Sequence, residues 1–180
     1  MQDVTFITGN QNKADRTAQY LGFPIKHVKL DLDEIQSLDL RAIIEHKVRQ
    51  AYEKTHAPVI VEDSSLEFEA LGGLPGPFIR FFVDNMSLET ICGLLVGHSK
   101  KATAKTTIGY YDGTILKIFE GSLGGEVAPT PAGALGWDWD RIFVPEGYAM
   151  RRAELSEEDY QKTYLQIKPL AQLKEFLESL

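Results

Sequence analysis

The chain has 180 residues, of which 43% are hydrophobic and 25% charged, a composition typical of one globular domain with a sizeable core. Its formal net charge of −7 argues against broad nucleic-acid binding, and no apolar run approaches the roughly 20 residues that cross a bilayer. The first residues, MQDVTFITGN, lack the basic start and long apolar stretch of a signal peptide. We therefore expect a single cytoplasmic domain over residues 1–180, with neither a nucleic acid nor a membrane as partner.

Strands and helices are predicted to alternate in the first part of the chain. Short β-rich runs are separated by segments in which apolar residues recur with the helical period of 3.6. The predicted elements are a strand at 4–8, a helix from Asn12 to Gly22, a strand at 27–32, a helix at 39–55 and a strand at 58–63.

The second part of the chain mixes turns, a hairpin and helices. GGLPGP (72–77) is predicted to be irregular, because its prolines lack an amide donor and its glycines favour unusual dihedrals. The remaining predictions are one or two helices at 78–96, a hairpin at 102–128 turning at Asp112-Gly113, an irregular stretch at 129–140, and a helical tail from Ser156 interrupted at Pro169. This order of elements predicts an α/β fold with a mixed sheet.

The stretch ITGNQNKAD (7–15) joins the first predicted strand to the first predicted helix. Backbone amides at a helix N-terminus form a natural anion site, and Lys13 would add a positive charge there. The same residues also suit an ordinary turn, with Asn10 as helix cap and Lys13 on a solvated face. This stretch alone does not decide between the two interpretations.

Acidic residues lie at the end of the strand PVIVED and in the segment after the preceding strand. Glu62 and Asp63 come where open α/β sheets bind ligands, and adjacent residues on a strand point to opposite faces. Only one of the two is therefore expected to meet a given metal ion, with Glu34 as a candidate second ligand. Carboxylate oxygens of this kind suit Mg²⁺, although the same residues could belong to a solvated face.

Two further stretches have both a functional and a structural interpretation. GGLPGP would let the backbone approach a ligand or would simply connect two elements, and Arg80 beyond it would reach a phosphate or pair with an acid. In GWDWD (136–140), Trp137 offers a stacking face and Asp138 can accept hydrogen bonds from a base. A tryptophan packed in the core is the commoner outcome for an isolated indole.

Taken in order, these motifs resemble the inosine triphosphate pyrophosphatase family, whose members hydrolyse deaminated purine nucleoside triphosphates. The matching blocks are TGNxxK from Thr8, DLxEIQ from Asp31, PVIVEDSSLEFEALGGLPGP from Pro58, GWD from Gly136 and AEL from Ala153. The resemblance implies an elongated, two-lobed α/β fold with a central mixed sheet flanked by helices, an active-site cleft between the lobes, and usually a homodimer. It also implies cleavage between the α and β phosphates, which gives a monophosphate and pyrophosphate.

The resemblance assigns roles position by position. Asp63 matches the residue assigned as general base, and Lys13 matches a lysine of the phosphate-binding segment that would stabilise the leaving pyrophosphate. The residues that match are Thr8, Gly9, Asn10 and Lys13 for phosphate binding, Glu34 and Asp63 for Mg²⁺, Ser64 for substrate contact, and Gly136, Trp137 and Asp138 for part of the base-binding loop. A Mg²⁺ ion would neutralise the phosphates and orient water for attack on the α-phosphorus.

The tail departs from the family, whose closing motif runs Lys-Asn, two further positions, then Ser-His-Arg. An ungapped alignment after Ala153-Glu154 places Tyr160, Leu165 and Gln166 at the lysine, histidine and arginine, whereas a two-residue slip places Lys162, Ile167 and Lys168 there. The histidine is missing in both alignments. The base loop differs as well, with Leu135 in place of an aromatic residue, Trp139 in place of a proline, and about two extra residues before Phe143.

We therefore expect a Mg²⁺-dependent pyrophosphatase that acts on inosine-type, xanthosine-type or otherwise atypical nucleoside triphosphates, with changed or broadened base selectivity. The candidate replacement contacts to the base are Arg151, Arg152, Lys162 and Lys168, each of which could equally be a solvated charge. One rival hypothesis is hydrolysis of another phosphoanhydride, such as a pyrimidine or modified nucleotide. The other is a catalytically silent nucleotide-binding or regulatory protein of the same fold.

Overall fold

A computed structural model describes residues 4–136 and 138–180 of the chain. Over these residues the chain forms seven strands, six α-helices and three short 3₁₀ helices, the latter at Glu69–Leu71, Asp138–Arg141 and Arg152–Glu154. In chain order the strands and α-helices are β1 (Thr5–Ile7), α1 (Gln11–Leu21), β2 (Lys26–Val28), α2 (Leu40–Thr55), β3 (Val59–Phe68), β4 (Pro75–Gly76), α3 (Ile79–Asn85), α4 (Leu88–Gly93), β5 (Lys101–Tyr111), β6 (Leu116–Val127), β7 (Phe143–Pro145), α5 (Glu157–Ile167) and α6 (Leu170–Glu178). None of the described helices is both long and apolar enough to cross a membrane.

The strands form one mixed sheet in the order β2-β1-β3-β5-β6-β7, with β4 paired to β3 outside this path. β1 pairs in parallel with β2 and with β3, so that Ile7 lies opposite Val28 on one side and Val61 on the other. The pairs β3–β4 and β6–β7 are antiparallel. The predicted α/β class with a mixed sheet is confirmed.

Helix boundaries follow the capping residues visible in the sequence. Asn10 accepts a hydrogen bond from the Lys13 amide at the start of α1, and Gly22 ends that helix in the left-handed region with φ of 79°. Asp39 and Ser156 cap α2 and α5 in the same way. The predicted helices at 39–55 and in the tail are therefore confirmed within one or two residues.

Two predicted strands and one predicted irregular segment differ from the structure. β2 covers three residues rather than the predicted six, and β3 continues five residues beyond the predicted end at Asp63. The prediction that GGLPGP is wholly irregular is wrong, because Pro75 and Gly76 pair with Glu67 and Leu66 of β3. A proline is tolerated there because β4 is a two-residue strand at the sheet edge, where no amide donor is needed from it.

The chain divides into two compact units, each with its own core. The first contains the residues up to Asp63 together with Thr106–Glu120 and Pro169–Leu180. The second contains Ser64–Lys105 and Gly121–Lys168. The expectation of a single domain over residues 1–180 stays a prediction.

The core of the first unit packs α2 against strands β1, β3, β5 and β6. Its buried members are Ile7, Ile44, Val48, Ala51, Val59 and Val61. Gly109 in β5 is required for this packing, since a Cβ atom there would lie 2.5 Å from Cγ2 of Ile44. On α6, Phe176 packs in the same unit through an edge contact with Tyr110 and a tilted contact with Phe119.

The core of the second unit is built around Leu66 and Phe68 of β3, both fully buried. Helices α3 and α4 supply Ile79, Ile91 and Cys92 to it. Strand β3 thus contributes Val59 and Val61 to the first core and Leu66 and Phe68 to the second.

Candidate active site

The turn between β1 and α1 is fixed by hydrogen bonds to its own side chains and to β2. The Thr8 amide donates to the Val28 carbonyl at 3.1 Å, and the Asn10 amide donates to the Thr8 hydroxyl, also at 3.1 Å. His27 of β2 contacts the Thr8 carbonyl at 2.6 Å through Nε2, and the Gln11 side-chain oxygen at 3.0 Å through Nδ1. The segment predicted to bind phosphate is therefore held at Thr8 and at the first residue of α1, while Gly9 between them is exposed.

Lys13 points to β3 rather than to a solvated face. Its ammonium lies 3.1 Å from Oε1 of Glu62, whose side chain is only 1% exposed. Burial alone would lower the pKa of Lys13, but the Glu62 carboxylate and its hydrogen bond, aided by the nearby Asp63, raise it above the ordinary lysine value. Lys13 is thus a fixed cation beside the turn.

Glu34 and Asp63, the two predicted metal ligands, meet at one ammonium group. Nζ of Lys47 lies 2.6 Å from Oε1 of Glu34 and 2.8 Å from Oδ2 of Asp63. Burial would lower the pKa of Lys47, yet the charge and hydrogen bond of Asp63 and the contact with Glu34 raise it. We call Lys13, Glu62, Lys47, Glu34 and Asp63 the lysine–carboxylate cluster; all five belong to the first unit.

Two members of this cluster, Lys47 and Glu62, were not assigned a role from the sequence. Lys47 follows Leu40, Ile43 and Ile44 on the buried face of α2, so a lysine on an otherwise apolar helical stripe was the available signal. Such a lysine needs a partner, because an unpaired buried ammonium is costly. Glu62 and Asp63 take different lysines as partners, as expected for neighbours on a strand.

The two carboxylates suit a hard divalent cation that keeps open positions for substrate. Among residues 4–136 and 138–180, no group of three or more histidine, cysteine, aspartate or glutamate side chains is arranged to hold a metal ion. Mg²⁺ usually binds through one or two carboxylates, with water and substrate phosphates as its remaining ligands. Glu34 and Asp63 provide two such carboxylates, so they fit a Mg²⁺ ion whose remaining ligands are water and substrate phosphates.

The second unit contains a separate polar network around the base-loop region. Arg152, 2% exposed, forms an ion pair with Asp140, which is fully buried. Nε of Arg152 donates to the Thr163 hydroxyl at 3.0 Å, and the Tyr160 hydroxyl donates to Asp140 at 3.1 Å. The Arg152 guanidinium also lies 4.1 Å from the centre of the Tyr160 ring. We call these four residues the Arg152 network.

The predicted base-loop residues have different positions relative to this network. Gly136 adopts φ of 77°, and a Cβ there would lie 2.0 Å from the Asp140 carboxylate, so this position requires glycine. Asp138 is exposed, whereas Asp140, two residues later, is the buried acid. Trp137 lies outside the described residues, so its predicted stacking role stays a prediction.

The candidate replacement contacts and Arg80 have local partners. Arg151 lies 3.1 Å from the Glu154 carboxylate, Lys162 is 57% exposed and pairs with Glu158 at 2.9 Å, and Arg80 pairs with Asp84 at 2.7 Å. Lys168 at the end of α5 is 7% exposed, and its ammonium lies 5.4 Å from the centre of the Tyr164 ring. Ser64, the predicted substrate contact, directly follows Asp63 in β3 and is half-buried.

The chain is similar to known proteins along most of its length. Residues 4–176 match the model of the Ham1 family. The chain is 34% identical to an inosine triphosphate pyrophosphatase of Schizosaccharomyces pombe over 184 residues, covering 99% of this chain and 97% of that protein. It is 40% identical to an inosine triphosphate pyrophosphatase of Candida glabrata over 173 residues, covering 89% of each.

Solved structures support the same fold. A HAM1 protein from Coxiella burnetii matches with a TM-score of 0.86 at 23% identity, covering 100% of both chains. The Ham1 protein of Staphylococcus aureus matches with a TM-score of 0.82 at 24% identity, covering 99% of both chains. At these identities the structures establish the fold, and the sequence matches establish the relationship.

Proposed function

This chain belongs to the Ham1 family, as the sequence motifs led us to expect, and we propose that it hydrolyses nucleoside triphosphates to the monophosphate and pyrophosphate. The observation that carries the proposal is the lysine–carboxylate cluster, in which two cations and three carboxylates converge behind the Thr8–Lys13 turn. Relatives that carry the name inosine triphosphate pyrophosphatase support the reaction class. Glu34 and Asp63 would hold Mg²⁺ as the cofactor.

Asp63 is the general base in this proposal. Its side chain is 27% exposed, so water can reach the carboxylate. Its place in strand β3 keeps the side chain in a fixed position. An ionised carboxylate at this position would accept the proton of the water that attacks the α-phosphorus. When bound, Mg²⁺ would supply charge neutralisation at the phosphate oxygens.

Lys13 and the turn would hold the leaving pyrophosphate. The fixed ammonium of Lys13, with Thr8, Gly9 and Asn10 preceding it, places positive charge at the N-terminal end of α1. Charge that develops on the leaving group would be stabilised there without reorganisation, which is where an electrostatic contact accelerates the step. Ser64 would contact the substrate beside Asp63.

The base selectivity of the enzyme is proposed to differ from the pattern of the family. On the ungapped alignment, the family lysine is replaced by Tyr160, which donates to Asp140, and the histidine by Leu165, which is 42% exposed. Arg152 supplies a buried cation from a different part of the chain. Loss of the polar side chains that read a 6-oxopurine should relax or redirect selectivity, with Gly136, Asp138, Lys162 and Lys168 as further candidate contacts.

A panel of nucleoside triphosphates tests this function. Inosine, xanthosine, guanosine, adenosine, cytidine and uridine triphosphates are incubated with Mg²⁺ and the full chain, and pyrophosphate release is quantified. We expect turnover of at least one triphosphate and a rate lower by about 10²-fold or more for Asp63→Asn. Asp84→Asn, a change at an exposed acid of α3 that pairs with Arg80, is the matched control and should keep the wild-type rate.

Three outcomes would contradict the proposal or part of it. Binding of triphosphates without turnover would favour the catalytically silent protein. Equal rates for Asp63→Asn and wild type would exclude the proposed base. A clear preference for inosine or xanthosine triphosphate over guanosine triphosphate would contradict redirected selectivity while leaving the reaction intact.

We propose that the protein forms a homodimer, as the resemblance to the family implies. Light scattering coupled to size-exclusion chromatography gives the mass directly, since one chain is 20.2 kDa. A mass close to twice that value supports the dimer, and a mass close to one chain contradicts it.

A further inference from the structure

Lys47 contacts the two carboxylates that the proposed metal ion would need as ligands. Its ammonium contacts Glu34 at 2.6 Å and Asp63 at 2.8 Å, and its own side chain is 11% exposed. The contact with Glu34 crosses from α2 to the irregular segment before that helix, where the Glu34 side chain is 65% exposed. One buried cation thus bridges a fixed carboxylate and a surface carboxylate.

We propose that Lys47 opposes binding of a free divalent ion to Glu34 and Asp63, so that the metal binds productively only together with a triphosphate. This inference rests on the proposed function, since it takes those two carboxylates as the metal ligands. An ammonium between the carboxylates reduces their combined charge from −2 to −1. A dication placed on either carboxylate would also lie a few ångströms from the ammonium, where like charges repel strongly in a partly buried site.

A triphosphate would remove this obstacle because it offers Lys47 another anionic partner. The lysine side chain is a flexible four-carbon stem with three rotatable donors, so its ammonium can exchange one oxygen partner for another nearby. Phosphate oxygens would also complete the ligand set that two carboxylates leave open. Metal and triphosphate would then favour each other's binding, and thermodynamic linkage requires that this coupling be reciprocal.

Lys13 is not expected to act in this way. Its partner is Glu62, which the proposal does not use as a metal ligand, and its ammonium contacts that buried carboxylate at 3.1 Å. Removing Lys13 would therefore weaken the phosphate side without freeing Glu34 or Asp63. The two lysines of the cluster have different expected effects on metal binding, which makes the proposal specific to Lys47.

Binding of Mn²⁺ to the full chain without nucleotide tests the inference. Electron paramagnetic resonance or calorimetry would compare wild type with Lys47→Met, and with Lys47→Gln in case the first variant folds poorly. Loss of the ammonium should tighten Mn²⁺ binding by about tenfold or more, the order expected for removing a like charge near a partly buried site. Lys54→Met is the matched control, because Lys54 lies two turns along α2, is exposed and donates to the Asp31 carbonyl instead.

The outcomes separate this inference from the proposed function. Unchanged or weaker Mn²⁺ binding in both Lys47 variants would overturn it, and so would equal tightening in Lys54→Met, which would indicate a net-charge effect alone. Asp63→Asn should lose Mn²⁺ binding in either background. If Asp63→Asn in the Lys47→Met background binds Mn²⁺ as tightly as Lys47→Met alone does, the metal site itself is wrong and the proposed function fails with it.

Discussion

The neighbouring carboxylates Glu62 and Asp63 form ion pairs with different lysines. Glu62 is 1% exposed and holds Lys13, whereas Asp63, the next residue, is 27% exposed and holds Lys47. The alternation of side chains along β3 separates the two carboxylates, so a single strand supplies both an anchor for the proposed phosphate-binding cation and a candidate base. The neighbouring residues Glu62 and Asp63 therefore have different expected roles.

Tyr110 gives a test of these residue-scale effects that does not depend on activity. Burial, together with the Asp112 carboxylate 3.2 Å from its hydroxyl, raises the pKa of Tyr110 to about 12 from an ordinary value of 10.0. The unfolded chain therefore loses this proton first as the pH rises. The stabilising contribution is complete below about pH 10 and is lost between about pH 10 and about 12, with a total of up to roughly 2–3 kcal/mol.

Denaturant unfolding from pH 9 to 11.5 would measure this loss. Tyr110→Phe should show a smaller decrease in unfolding free energy across that range than wild type. Tyr20→Phe, a matched change at a half-buried tyrosine of α1, should follow the wild-type curve. Parallel curves for wild type and Tyr110→Phe would contradict the assigned shift.

The residues of the candidate site could be predicted from the sequence where a motif names them, and not where the partner is remote in the chain. Thr8, Asn10 and Lys13 lie within one turn, so their association is local. Lys47 meets Glu34 across 13 residues and Asp63 across 16, and only the folded chain brings them together. The Asp140–Arg152 pair could not be predicted for the same reason. In addition, Asp138 is equally acidic and lies only two residues from Asp140.

At the scale of elements, α2 packs on β5 at a position where only glycine fits. A Cβ at Gly109 would lie 2.5 Å from Cγ2 of Ile44 and 3.6 Å from Cβ of Val48. Both neighbours are fully buried, so neither can move into solvent to make room. Helix α2 also supplies Lys47, and a displaced helix would move the lysine–carboxylate cluster with it.

Gly109→Ala should therefore destabilise the fold by about 1–3 kcal/mol, the usual cost of overfilling a packed core. Gly93→Ala is the matched control, since a Cβ at Gly93 would have no atom within 4 Å. Thermal unfolding of both variants beside wild type measures the difference. A Gly109→Ala protein as stable as Gly93→Ala would contradict this account of the packing.

Elements with strong local signals were predictable, including the hairpin of β5 and β6 with its turn at Asp112-Gly113, whereas β4 and the end of β3 were not. Asn10, Asp39 and Ser156 mark helix starts by their capping chemistry, so α1, α2 and α5 could be located. The short strand β4 depends on hydrogen bonds with β3, which the local sequence of Pro75 and Gly76 does not reveal. The continuation of β3 to Phe68 likewise reflects pairing and burial in the second core.

At the scale of the whole molecule, the two polar clusters described above belong to different units. The first unit contains the lysine–carboxylate cluster and the second contains the Arg152 network. The candidate phosphate and metal residues Thr8, Lys13, Glu34 and Asp63 lie in the first unit, whereas the segment from Ser156 to Lys168, which departs from the family motif, lies in the second. In the proposed function, the reaction of the family is kept while recognition of the base is changed.

The position of the attacking water oxygen in the products tests whether the enzyme cleaves between the α and β phosphates. The best substrate from the nucleotide panel is hydrolysed in water enriched in ¹⁸O, and both products are analysed by mass spectrometry. We expect one ¹⁸O atom in the nucleoside monophosphate and none in pyrophosphate, because water attacks the α-phosphorus in the proposed reaction. Label in pyrophosphate, or release of orthophosphate in place of pyrophosphate, would contradict it.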